Sequence, residues 1–202
     1  MTNETSDEHS IWERVRRGDA DAFGAIFDLH HARVFRQARR LTETTEDAED
    51  VTALVFLEAW RRRDAVRVVD GSVIAWLSVT ANNLARNARR SRNRSRALLA
   101  KLNGTRGEGL HSPDHSDRIG ARLDREAALG TTHRALARMP SRDRDVIALC
   151  LIQGLSTAEA AAALGVAPGT VKSRLSRARH RLSAEVVAAL ETSPTTTKGT
   201  AR

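Results

Sequence analysis

The sequence predicts an all-α protein made of two small helical domains joined by a flexible linker. Three observations carry this expectation. Apolar residues recur at helical spacing over 11–96 and again in the C-terminal third, as expected of helices that bury one face. Gly and Pro are scarce over 11–96, whereas "KLNGTRGEGLHSPDHSDRIG" beyond it is rich in Gly, polar and charged residues. With no Tyr and few Phe or Trp, a core must be built from Ala, Leu and Val, which suits small helical domains. The expected organisation is a first domain over 1–96, a linker over 97–124, a second domain over 125–187 and a disordered tail over 188–202.

Four helices are expected in the first domain, with the ordered part starting near Ile11. One opens after Gly18-Asp19 and places Phe23, Ile26, Phe27 and Val34 on one side; a break at His30-His31 is compatible with the pattern. The next starts in "TETTEDAED", whose acids suit a helix N-terminus, and continues through "VTALVFLEAWRRR", whose Arg residues suit a C-terminus. "DAVRVVDG" reads as a loop, and Ser72 as the cap of the helix "VIAWLSVTANNLARNARRSRN".

In the second domain "REAALGTTHRALARM" is helical, Pro140-Ser141 starts "SRDRDVIALCLIQ", and Gly154 ends it. Ser156 and Glu159 have the spacing of a capping box that opens "TAEAAAALG". Gly165 gives the turn, and Pro168 falls in the first turn of the last helix. The short capped helix, the turn and the last helix together form a helix-turn-helix pattern. No solenoid-type repeat is present.

All but three of the 33 basic residues are Arg, and the net charge of +8 points to a polyanionic partner, with nucleic acid the leading candidate. The lone Cys150 excludes an intrachain disulfide or a Cys-cluster zinc site and reads as a packing residue. His111 and His115 flank Pro113, which breaks helical spacing, so no metal site is expected. No Walker-type loop, His-Glu-x-x-His pair or nucleophile elbow occurs, and neither an enzyme nor a cofactor is expected. No run reaches the roughly 18 to 20 apolar residues of a membrane span, and "MTNETSDEHS" is unlike a secretory signal, so a cytoplasmic protein without membrane insertion is expected.

On a helical wheel of "GTVKSRLSRARHRLS", Val171, Leu175, Ala178 and Leu182 form one apolar face. Ser173, Ser176, Arg177 and His180 lie opposite; Lys172 and Arg179 occupy one flank and Arg174 and Arg181 the other. A helix in a major groove needs this arrangement, because flanking cations reach both phosphate walls and a central polar strip reaches base edges. In the first domain's last helix Trp76, Thr80, Asn83, Asn87, Arg90 and Arg94 share a stripe suited to stacking on an unpaired base and holding its backbone. Trp76 is equally readable as a core residue. The density of Arg from Arg86 to Arg96 favours phosphate contact. In "EDAEDVTALVFLEAW", Val51, Val55 and Ala59 form one apolar stripe and Phe56 and Trp60 another, leaving open whether both are buried or one meets a partner protein.

These stretches together resemble the extracytoplasmic-function (ECF) group of bacterial RNA polymerase sigma factors. "DAFGAIFDLHHARVFRQARRLT", "DAEDVTALVFLEAW" and "AWLSVTANNLARNARR" resemble successive parts of the family's domain 2, and "ALARMPSRDRDVIALCLIQGLSTAEAAAALGVAPGTVKSRLSRARHRL" its domain 4. The resemblance implies that the protein binds core polymerase and directs promoter-specific initiation. Domain 2 would meet the β′ clamp helices through Asp47, Asp50, Val51, Leu54, Phe56, Leu57 and Trp60. It would capture the melted minus-10 strand with the segment 69–90, including Trp76, Thr80, Asn82, Asn83, Arg86, Asn87 and Arg90. Domain 4 would read the minus-35 duplex through Thr170, Lys172, Ser173, Arg174, Arg177, Arg179 and Arg181 and dock on the β flap. An anti-sigma protein is the implied regulator. A linker of about 30 residues reaches up to roughly 100 Å, nearly three duplex turns of about 34 Å.

Two departures from the family pattern stand out. Ala53-Leu54 replaces a usual Gln-Glu or Gln-Asp pair, and Asn82 replaces an Arg. The competing readings are a dimeric helix-turn-helix regulator, for which no heptad repeat is evident, and a basic helical protein that binds RNA or ribosomes without sequence preference.

Overall fold

The structure, a computed structural model, describes residues 3–102, 119–182 and 186–187. Among them regular structure is helical, apart from one isolated β-bridge. The first domain comprises α1 (Asn3–Arg16), α2 (Ala20–Leu41), α3 (Thr45–Arg61) and α4 (Ile74–Leu102). The second comprises α5 (Ile119–Arg138), α6 (Ser141–Ile147), α7 (Thr157–Leu164) and α8 (Pro168–Arg181). None of the described helices is long and apolar enough to cross a membrane.

Helix ends fall where the sequence supplies caps. Asp19 accepts from the Ala22 N–H at 3.0 Å to open α2, and Thr44 accepts from the Asp47 N–H at 3.1 Å to open α3. Ser156 and Glu159 complete a reciprocal capping box at α7, and Gly165 ends that helix at φ +64°. Pro168 stands at the start of α8, where its missing N–H costs nothing.

Elsewhere the structure departs from the sequence reading. α1 begins at Asn3, well before Ile11, because its polar stretch contributes Glu8 to the interior. α2 is unbroken through His30-His31: His30 turns inward, its Nε2 2.7 Å from Glu8 Oε1. α4 continues to Leu102 and α5 begins at Ile119, so both enter the stretch whose composition suggests a linker. "ALLAKL" is made of good helix formers, and the first Gly arrives only at Gly104. After α6 the helix widens into a π turn over Ala148–Ile152. The Gln153 N–H reaches the Ala148 carbonyl at 3.0 Å, and the Leu155 N–H closes on Leu149 at 2.9 Å around Gly154, which has φ +73°. Residues 103–118, with His111 and His115, and the tail 188–202 lie outside the described residues.

Trp12 and Val15 of α1, Ile26 and Val34 of α2, Val55 of α3 and Leu77 of α4 are fully buried at the centre of the first domain. Each such side chain stabilises the fold by about 1.5–3 kcal/mol relative to an exposed one. In the second domain α6, α7 and α8 close around Val146, Leu149, Ala160, Ala161 and Val171, and Ala75 of α4 joins that cluster. The domains therefore meet, with α4 against α6, α7 and the π turn, and α2 against α5.

Candidate nucleic-acid interface

α8 presents one packed face and one open face. Val171 and Ala178 are fully buried, Leu182 nearly so, and Leu175 is half-buried against the core. Lys172, Ser173, Ser176, Arg177, Arg179, His180 and Arg181 are exposed, and Thr170 and Arg174 half-buried. Two of the expected base-facing residues hold local bonds: Ser173 Oγ donates to the Thr170 carbonyl at 3.0 Å, and Arg177 Nε to the Ser173 carbonyl at 3.3 Å. Both sit at exposed positions, where another acceptor can replace these partners. Arg181 pairs with Asp143 at 2.7 Å, which ties the end of α8 to α6.

The α4 stripe is graded along its length. Trp76 packs partly on the first domain's core, Thr80, Asn83 and Arg86 are half-buried, and Asn87, Arg90 and Arg94 are exposed. Arg86 donates to Asn83 Oδ1 at 3.0 Å, and Asn87, Arg90, Asn93 and Arg94 line a shallow open cleft. Asn82 differs from the others: it is only 3% exposed and faces the second domain. Preceding α4, residues Val69 and Ser72 exchange backbone hydrogen bonds of 2.9 and 3.1 Å across Asp70 (φ +50°) and Gly71 (φ +73°). Positive φ at both central residues marks a two-residue type I′ turn, for which Asp-Gly is a favoured sequence.

On α3 the two apolar stripes have one fate. Val51, Val55 and Ala59 are buried, Phe56 is buried against Phe27 at a ring separation of 4.7 Å, and Trp60 packs on Phe23 at 5.2 Å. The helix turns Asp50, Ala53, Leu54 and Leu57 outward, with Leu54 and Leu57 about half exposed. Asp47 is bound by Arg92 of α4 and by Thr44. Burial alone would raise its carboxyl, but these bonds and the Arg92 charge hold it below the usual carboxylate value.

Between the domains runs a buried polar seam that sequence reasoning missed. Gln37, with no exposed surface, donates to the Ser78 carbonyl at 2.9 Å and to Asn82 Oδ1 at 3.1 Å, and accepts from Gln153 Nε2 at 2.8 Å. Arg33 donates to both the side-chain oxygen and the carbonyl of Gln153 at 3.1 Å. Asn82 Nδ2 donates to Asp145 Oδ1 at 2.8 Å, and Arg89 donates to the Ala137 carbonyl. Burial pushes the Asp145 carboxyl above its ordinary value against the opposing pull of Asn82, Arg86, Arg144 and Arg174. Ile26, His30, Val34 and Gln37 fall on one helical stripe of α2, so a polar residue at a core-facing position was the available signal.

The Sigma-70 region 2 family model matches residues 26–95, and the Sigma-70 region 4 model matches residues 129–182. The chain is 34% identical over 184 residues to the ECF RNA polymerase sigma factor SigM of Mycobacterium tuberculosis (strain ATCC 25618 / H37Rv), covering 90% of this chain and 85% of that protein. It is 28% identical over 175 residues to the ECF RNA polymerase sigma factor SigW of Bacillus subtilis (strain 168), covering 84% and 91%. Among solved structures, CnrH in complex with the cytosolic domain of CnrY is similar with a TM-score of 0.59 and 25% identity, over 91% of this chain and 96% of that one. The sigma factor RpoE of Bartonella quintana, solved with the anti-sigma factor NepR, is similar with a TM-score of 0.50 and 29% identity, over 83% and 95%. With region 2 followed by region 4, and full-length relatives at this identity, the chain belongs to the ECF group of RNA polymerase sigma factors and serves to direct transcription.

Proposed function

We propose that this sigma factor recognises a two-part promoter with α8 and α4 while its first domain holds core polymerase. Lys172, Arg174, Arg179 and Arg181 of α8 contact the phosphates of the minus-35 duplex, and Thr170, Ser173 and Arg177 face its bases. Trp76, Thr80, Asn83 and Asn87 of α4 take unpaired minus-10 bases, with Arg86 and Arg90 on the backbone. The outward face of α3, carrying Asp50, Leu54 and Leu57, meets the β′ clamp helices, and the second domain docks on the β flap. Val51 and Phe56 then act from beneath as the packed base of that face. An anti-sigma protein holds the factor inactive, in keeping with the complex of the similar RpoE with NepR.

One observation carries this reading: a single chain bears two cationic helix faces of different character. The α8 face suits a duplex groove, and the α4 face offers a half-buried indole and amides to single bases. Transcription of a genomic library by core polymerase plus the purified protein tests it. Discrete start sites preceded by two shared sequence elements are expected. The absence of both initiation and polymerase binding would overturn it.

A further inference from the structure

α1 runs along the segment that joins α3 to α4 and grips it at both ends. At one end the Arg16 guanidinium donates to the Val66 carbonyl at 3.1 Å, and Arg63 Nε donates to the Arg16 carbonyl at 3.4 Å. At the other end the buried Glu8 gathers three partners on one oxygen, Oε1. These are the Val73 N–H at 2.9 Å, the Ser72 hydroxyl at 3.0 Å and His30 Nε2 at 2.7 Å. The Ser72 oxygen in turn accepts from the Ile74 N–H at 3.2 Å. Between the two grips lies the Val69–Ser72 turn.

A carboxylate with 7% exposure is costly unless it is paired and hydrogen-bonded, and Glu8 is both. Its bonds are spent on an orphan N–H beside the start of α4 and on the hydroxyl that caps the next one. Anchoring α1 to the domain does not require this, because Trp12 and Val15 already supply a fully buried apolar face. What Glu8 adds is direction: it fixes the exit of the turn and the first turn of α4 relative to α2 through His30. Burial alone would raise the Glu8 carboxyl, yet the bond and charge of His30, helped by Val73 and Ser72, hold it low.

We propose that Glu8 is a positioning residue for strand capture: with His30 and Ser72 it sets the 69–73 turn and the first turn of α4 so that Trp76 and Thr80 face the unpaired bases. Glu8 itself touches no DNA. This inference rests on the reading of α4 as the minus-10 face.

The test uses holoenzyme assembled from core polymerase and the full chain, probed with a labelled single strand carrying the mapped minus-10 element and with a scrambled strand. Glu8→Ala is expected to weaken capture of the minus-10 strand about tenfold, the scale of one hydrogen bond to a charged group, and to narrow its margin over the scrambled strand. Polymerase affinity should stay at the wild-type value. Glu8→Gln keeps an acceptor oxygen for Val73 and Ser72 and should recover much of the loss. If Glu8→Ala does not fold, Glu8→Gln and Ser72→Ala carry the test, both expected to lie between wild type and full loss. Wild-type capture by Glu8→Ala, or by Ser72→Ala where Glu8→Ala does not fold, overturns the proposal, as does a parallel fall in polymerase affinity and capture. Trp76→Ala and Asn83→Ala separate the two levels. If they lose capture and the Glu8 variants do not, only the positioning role fails; if they too bind like wild type, the reading of α4 fails and the positioning role with it.

Discussion

Single carboxylates and cations carry the sharpest consequences of this structure. The Glu8 carboxyl, held below its ordinary 4.5, binds its proton less tightly in the folded chain than in the unfolded one. Its stabilising contribution is therefore complete above about pH 4.5 and is lost as pH falls through the lowered folded value. Asp47, held low from 3.8, acts in the same sense over a more acidic range. Acid unfolding followed by circular dichroism should begin below pH 4.5, and Glu8→Gln should be less stable at neutral pH and show a shallower acid slope. A slope unchanged by the substitution would show that Glu8 is not the group being titrated. On α8, Arg177→Ala should relax discrimination among minus-35 sequences at one position, by about 1–3 kcal/mol, whereas Lys172→Ala should weaken all sequences alike and reduce the salt dependence. Binding titrations on a set of single-base promoter variants distinguish these; equal losses across the set for both would place Arg177 on phosphate. At this scale the sequence was only partly legible. The inward face of α8 followed from its period, but the roles of Glu8 and Gln37 did not, because their partners, Val73 and Gln153, are brought to them only by tertiary packing.

Helix ends were the most readable elements, since a cap is a local transaction among four or five residues. The Ser156–Glu159 box, the Gly165 turn and the Pro168 start all stand where their residue types imply. Ser156→Ala removes the acceptor for the Glu159 N–H and should destabilise the second domain by about 1 kcal/mol in thermal unfolding, with minus-35 affinity falling in step. An unchanged melting temperature would show that α7 is held by packing alone. The π turn was not legible: "ALCLI" is as compatible with an α-helix, and the extra residue is set by the wrap of Leu155 onto Leu149 around Gly154. The length of α4 was hidden because the linker was drawn from residue 97 on the composition of the stretch that follows, although "ALLAKL" itself favours a helix.

For the molecule as a whole, the question is how the two domains sit together, and no periodicity could have shown it. Burial raises Asp145, so the folded chain binds its proton more tightly than the unfolded chain does. Its contribution to stability is thus greatest at low pH and is lost as pH rises above 3.8 through the raised value, leaving a charge at the seam near neutrality that its burial opposes. Asp145→Asn removes that charge and keeps an acceptor for Asn82. It should shorten the mean distance between fluorophores placed on the two domains and slow promoter opening; a longer distance would show that the surrounding Arg charges outweigh the cost of burial.

The seam at Asn82 also has a meaning in populations. A strand that needs the Asn82 side of α4 competes with Asp145 and Gln37 for the same amide, so only parted molecules bind it. If one molecule in about a hundred is parted, apparent affinity for the strand falls about a hundredfold below its intrinsic value. A partner whose docking parted the domains would remove that factor before DNA arrives. Where a strand draws on that amide, the polar seam would thus lower the affinity of the closed chain below that of the parted one, with no change in any residue that touches a base.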